Sequence, residues 1–122
     1  MKSRIALFFA MAATAALAWS LPAVAHTSSV KATTVKVTAG KPSEFKFKLS
    51  TSTVNHGAVT FVVTNSGALP HDFSINKKKT ALLSPGKTAK LTVTFAKAGK
   101  YPYLCTVSGH AAAGMKGTLT VK

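Results

Sequence analysis

From residue 30 to the end of this 122-residue chain, apolar side chains recur at every second position in short runs. Phe45, Phe47 and Leu49 alternate with Lys46 and Lys48, and Val59, Phe61 and Val63 repeat the pattern. Leu91, Val93 and Phe95 alternate with Lys90, Thr92 and Thr94, Val35 and Val37 flank Lys36, and Thr118, Leu119, Thr120 and Val121 close the chain in the same style. Successive side chains of a strand point to opposite faces, so each run offers one side to a core and the other to water. Val, Thr and Phe suit such a half-buried pleated surface. Gly, Pro or Asn punctuates the runs at Ala39-Gly40-Lys41-Pro42, Asn55-His56-Gly57, Asn65-Ser66-Gly67, Ser84-Pro85-Gly86 and Ala98-Gly99-Lys100, where the chain must reverse. No long stretch beyond residue 25 has a 3.6-residue period. The pattern predicts an all-β fold with strands near 30–38, 43–50, 58–64, 71–76, 80–83, 88–95, 100–105 and 116–121. That spacing indicates an antiparallel sandwich or barrel. Lys77-Lys78-Lys79 reads as a solvated strand end or turn.

The first 25 residues read differently. Lys2 and Arg4 precede an apolar, Ala-rich stretch from Ile5 to Trp19, too short to span a bilayer comfortably. Leu21-Pro22-Ala23-Val24-Ala25 then offers a small-x-small cleavage site before His26. The expectation is a secretion signal over 1–25 and one domain over 26–122, soluble, monomeric, and periplasmic or otherwise secreted. A retained membrane anchor is the competing reading. Removing Lys2 and Arg4 from the 16 Lys and Arg leaves 14, all lysine, against Glu44 and Asp72 alone. Lysines on a small β domain can simply solvate its outer faces. They can also steer an acidic partner, an attraction that weakens with salt. With no arginine beyond Arg4, no recognised motif and an export signal, nucleic acid is not an expected partner.

An exported chain with one cysteine cannot cross-link itself, so Cys105 needs another reason to be there. It ends the strand-like Tyr101-Pro102-Tyr103-Leu104, and His110 and Met115 follow at equal intervals, giving C-x4-H-x4-M in a loop of Gly and Ala. Taken singly, Cys105 is a small buried apolar residue, Met115 core filler and His110 a surface loop residue. Taken together they are a thiolate, an imidazole and a thioether in one hairpin. A second imidazole, His71, starts a strand after the loop Gly67-Ala68-Leu69-Pro70. In a sandwich that strand start and the 105–115 loop can meet at one end. Two imidazoles, a thiolate and a weak thioether suit a mononuclear copper electron-transfer site.

Leu69-Pro70-His71, Tyr103-Leu104-Cys105, Gly109-His110 and Gly114-Met115-Lys116-Gly117-Thr118-Leu119 together resemble the cupredoxins, the small blue copper proteins. The C-x4-H-x4-M loop is most similar to the auracyanin and sulfocyanin branch. The resemblance implies a Greek-key β-sandwich of seven or eight strands, one type 1 copper ion and outer-sphere electron transfer. It implies His71, Cys105 and His110 as equatorial ligands, Met115 as the axial one, and the Pro70 carbonyl where some relatives place a weak opposing oxygen. Relatives usually carry Asn after the first ligand histidine, tied to the hydroxyl residue after the cysteine. Here that pair is Asp72 and Thr106; a carboxylate can accept from the Thr106 hydroxyl or a backbone N–H, so a tie is expected. A negative charge there would favour Cu(II) unless it is neutralised.

His110 is expected to reach the surface through an apolar patch of Leu69, Pro70, Ala111, Ala112 and Ala113, a short exit for an electron. A copper carrier or scavenger would use the same residues, helped by His26 if cleavage frees its amine. An enzyme with Cys105 as nucleophile and His110 as base leaves Met115 without a task, and four ligands leave catalytic copper no open position. A metal-free sandwich would ask only that Cys105 be buried. His56 reads as an exposed turn residue.

Overall fold

The structure, a computed structural model, describes residues 13–25 and 32–122. The start of the predicted leader and the terminus at His26 lie outside the described residues. Residues 13–25 are exposed and carry no regular structure. No helix among the described residues is long and apolar enough to cross a membrane.

Among the described residues nine strands follow in chain order: β1 (Thr33–Ala39), β2 (Phe47–Leu49), β3 (Thr53–Val54), β4 (Gly57–Asn65), β5 (Ser74–Ile75), β6 (Lys78–Lys79), β7 (Thr88–Phe95), β8 (Gly99–Leu104) and β9 (Lys116–Val121). They form two sheets, ordered β2-β1-β4-β7 and β3-β9-β8-β5-β6. The alternation decides which side of each strand is buried. Val35 and Val37 of β1, Val59, Phe61 and Val63 of β4, and Val93 and Phe95 of β7 face inward. They meet Phe73, Ile75, Leu119, Val121 and Val54 of the other layer in one core, with Phe47, Tyr101 and Tyr103 packed at its margin. The outer face of the first sheet is polar, with Thr60 bonded to Thr92 (3.1 Å) and Thr64 to Thr88 (2.9 Å) across β4 and β7.

The sheets are mixed where an antiparallel arrangement was expected. β1 runs parallel to β4, with Val35 opposite Phe61, and β3 runs parallel to β9. The chain leaves β1, adds β2 to its free edge, crosses to the second sheet for β3 and returns for β4. Such crossovers are long-range and leave no local mark on the alternation.

The predicted strands at 88–95 and 116–121 match β7 and β9, and those at 58–64 and 100–105 match β4 and β8 to within one residue at either end. Residues 30–38 become β1, with 30 and 31 outside the described residues. The run at 43–50 shortens to β2 because residues 43–46 turn, with Lys46 N–H donating to the Ser43 carbonyl (3.2 Å). Residues 71–76 keep only β5, and 80–83 is no strand: Leu83 makes one bridge, exchanging both backbone hydrogen bonds with His71 (3.0 and 2.8 Å). Between Ile75 and Lys78, Asn76 and Lys77 both take positive φ (50° and 63°). That is the two-residue hairpin turn whose twist suits flanking strands, and it makes Lys78 and Lys79 the short strand β6.

Candidate metal centre

At one pole of the sandwich a second apolar cluster joins Ala39, Cys105 and Met115, packed against Phe45, Phe47 and Val107. Cys105 follows the last residue of β8 and Met115 precedes the first of β9, so the 105–115 loop is a hairpin connection. The Cys105 N–H donates to the Met115 carbonyl (3.1 Å) and closes its base. Inside, the chain winds into tight turns: the His110 N–H donates to the Val107 carbonyl (3.1 Å), Ala113 to Gly109 (3.0 Å), and Met115 to His110 (3.0 Å). Gly109 and Gly114 hold left-handed φ values of 82° and 113°, which a side chain would disfavour. The winding turns His110 inward beneath Phe45, whose ring meets the imidazole edge-on at 5.0 Å.

His71 arrives from the other direction. Asn65, at the end of β4 and fully buried, donates through Nδ2 to the carbonyls of Leu69 and Leu83 (both 2.8 Å) and accepts from the Gly67 N–H (2.9 Å). These bonds fold the 66–70 loop and hold the two segments that flank His71. Nothing in the local sequence distinguishes this asparagine from an ordinary turn residue.

The two imidazoles and the thiol then converge. His71 Nδ1 lies 3.1 Å from His110 Nδ1, and Cys105 Sγ lies 4.0 Å from the first and 3.6 Å from the second. All three residues are buried, and their donor atoms lie within 4.8 Å of one another. A bound ion, by the zinc range, sits about 2.0–2.3 Å from nitrogen and sulfur donors, which sets three coplanar donors roughly 3.5 Å apart. The observed separations bracket that value, so the donor set fits one metal ion. Burial pushes the Cys105 thiol above its ordinary pKa, while backbone hydrogen bonds at Asp72 and Val107 pull it back and the Asp72 carboxylate raises it. A soft cation resolves that cost, because a coordinated thiol is deprotonated outright.

Asp72 and Thr106 make the expected tie. The Thr106 N–H donates to Asp72 Oδ1 (2.6 Å) and its hydroxyl donates to Oδ2. The tie links the strand start that carries His71 to the residue after Cys105, across the two sides of the centre. Of the residues expected to form the exit patch, Leu69 is 42% exposed, Pro70, Ala112 and Ala113 are exposed, and Ala111 is half-buried. His56 is exposed, its backbone N–H and Nδ1 both at the Lys122 carbonyl (2.8 and 3.1 Å), and it does not join the His71–Cys105–His110 group.

One residue of the centre had no place in the sequence reading. Glu44, in the turn before β2, sets Oε1 2.7 Å from His71 Nε2. Hydrogen bonds from the Ala68 and Leu69 backbone N–H groups lower its pKa from 4.5 to about 2, and His71 contributes in the same direction. The signal available was the rarity of acid in this chain, but its target lies 27 residues away.

A family model described as a cupredoxin-like domain matches residues 6–121. The chain belongs to the cupredoxin-like family. Among curated proteins, this cupredoxin is 51% identical over 41 residues to the copper-resistant cuproprotein CopI of Pseudomonas aeruginosa, covering 34% of this chain and 23% of that one. It is 50% identical over 42 residues to auracyanin-B of Chloroflexus aurantiacus, covering 34% and 18%. These matches span less than a quarter of either relative's length. Dithionite-reduced auracyanin from Roseiflexus castenholzii superposes with a TM-score of 0.62 at 22% identity, covering 75% of this cupredoxin and 98% of that chain. Reduced rusticyanin superposes with a TM-score of 0.58 at 26% identity, covering 73% and 78%. The family, the sandwich and the His71–Cys105–His110 group agree on one bound copper ion as cofactor.

Proposed function

We propose that this cupredoxin is an exported, monomeric one-electron carrier. The observation that carries the reading is the convergence of His71 Nδ1, His110 Nδ1 and Cys105 Sγ in a buried, tied cluster. His71, Cys105 and His110 would hold copper as a trigonal set, with Met115, fully buried beside Cys105, as the axial donor. Bound copper supplies a Cu(II)/Cu(I) couple. The chain's own part is to fix the donors so that they do not rearrange between states: the loop-base bond at Cys105, the Asp72–Thr106 tie and the Asn65 bonds all serve this. Four donors leave no open position for a substrate, so the reading is not an enzyme. His110 is 9% exposed, and in this reading the electron leaves through it and the neighbouring apolar residues Leu69, Pro70, Ala111, Ala112 and Ala113.

The test is an optical spectrum of the copper-loaded chain before and after ascorbate. An intense blue absorption that bleaches on reduction and returns on oxidation is expected; a colourless copper-loaded protein would overturn the reading. A copper carrier for the cell envelope is the second reading, favoured by the likeness to a copper-resistant cuproprotein. Ready transfer of copper to an acceptor protein, with slow electron self-exchange, would select it.

Met115→Gln should keep copper but lower the potential by about 59 mV or more, a tenfold change in the Cu(II)/Cu(I) preference. Voltammetry of the loaded variant checks this, and an unchanged potential argues against an axial Met115. The redox partner is an acidic protein. The chain has only two acidic side chains, Glu44 and Asp72, and both make hydrogen bonds at the metal centre, which leaves the lysine surface with a large excess of positive charge. Lys46 reaches over Gly114 beside the centre. Raising ionic strength should therefore slow association with the partner, while a salt-independent rate would remove lysine steering from the account.

A further inference from the structure

Glu44 carries a negative charge to the back of His71. His71 is fully buried, and Glu44 Oε1 lies 2.7 Å from its Nε2. The carboxylate is itself pinned. The Leu69 N–H donates to Oε1 (2.9 Å), and the Ala68 N–H lies 2.9 Å from Oε2 and 3.1 Å from Oε1. Gly67 leaves the space the pair occupies. A methyl group there would stand 2.5 Å from Glu44 Oε1 and 3.0 Å from His71 Nε2. So three neighbouring residues of one loop, Gly67, Ala68 and Leu69, are shaped around a single carboxylate. The chain has one other acidic residue, and that one ties Thr106 at the same centre.

We propose that Glu44 is a positioning residue of the metal centre, holding His71 in the Nε2–H tautomer with Nδ1 toward Cys105 and His110, and raising the donor strength of that imidazole so that Cu(II) is favoured over Cu(I). A carboxylate behind a ligand histidine fixes the ring and raises its basicity. A fixed negative charge close to the ion stabilises the higher oxidation state more than the lower. The inference rests on the copper reading above.

Glu44→Gln keeps the shape, removes the charge and sets an amide N–H against a backbone N–H. Cu(II) affinity should fall about 10- to 100-fold. Cu(I) affinity should fall about tenfold less, which raises the potential by about 59 mV. Gly67→Ala, which leaves both partners in place but intrudes on their contact, should shift the potential in the same direction. Competition titrations for each oxidation state and voltammetry read these effects. An unchanged potential, or equal losses for both states, would overturn the proposal, since a purely structural role predicts the latter. Nitrogen-15 NMR of the metal-free wild type gives a reading that needs neither variant to fold. His71 with a protonated Nε2 and a bare Nδ1 is expected, and the opposite tautomer would overturn the inference. Failure of the copper reading shows separately, as a wild type with no blue spectrum.

Discussion

Cys105→Ser is expected to abolish the blue colour of the copper-loaded protein completely, because that absorption is a charge transfer from thiolate sulfur to copper and a hydroxyl has no counterpart. The fold should survive. Cys105 is buried at the junction of β8 and the ligand loop, and its backbone bond to the Met115 carbonyl (3.1 Å) does not depend on the side chain. His71, His110 and Met115 remain, so a weak, pale copper complex is the expected residue of function. The measurement is the visible spectrum at matched copper loading, with circular dichroism to show that the sandwich is intact. A variant that stayed intensely blue would remove Cys105 from the ligand set.

Phe61→Ala should carry the largest stability cost, about 3–5 kcal/mol, the range for deleting a buried aromatic ring. Phe61 sits mid-way along β4, flanked in register by Val35 on β1 and Leu91 on β7. Its ring lies 5.2 Å from Phe73 and 6.3 Å from Phe95, bridging the two layers. Backbone hydrogen bonds on both sides keep β4 from collapsing into the void. For a domain of under 100 residues, a loss of that size lowers the melting temperature by more than about 10 °C. Thermal unfolding of the metal-free protein checks it; a loss under about 1 kcal/mol would mean that the core repacks around the gap. The effect should also reach the metal centre. Phe73 is two residues from His71 and packs on Phe61, so the variant should bind copper less tightly while every proposed ligand remains.

Much of the fold is legible in the amino-acid sequence. Period-two alternation is a local property: each inward side chain announces itself against its immediate neighbours. The long strands β4, β7, β8 and β9 therefore fell where the pattern put them. The short ones did not. β3, β5 and β6 have two residues each, too few for an alternation to register. The run at 80–83 had strand composition, yet its pairing is limited to the single bridge between Leu83 and His71.

The chain by itself determined the donor types and the short-range part of their geometry. Cys105, His110 and Met115 are close because an eleven-residue loop rich in Gly and Ala leaves them little else to do, and that closeness is written in the spacing. The tertiary structure alone decided the rest. His71 meets Cys105 across 34 residues because the buried Asn65 side chain shapes the loop before it. Glu44 meets His71 across 27 residues because residues 43–46 turn before β2 begins at Phe47 and bring the acid to the imidazole. The parallel pairing of β1 with β4 depends on a crossing between layers. These contacts join segments with no local periodicity in common, and their free energy comes from burial and hydrogen bonding that exist only after the two layers have closed.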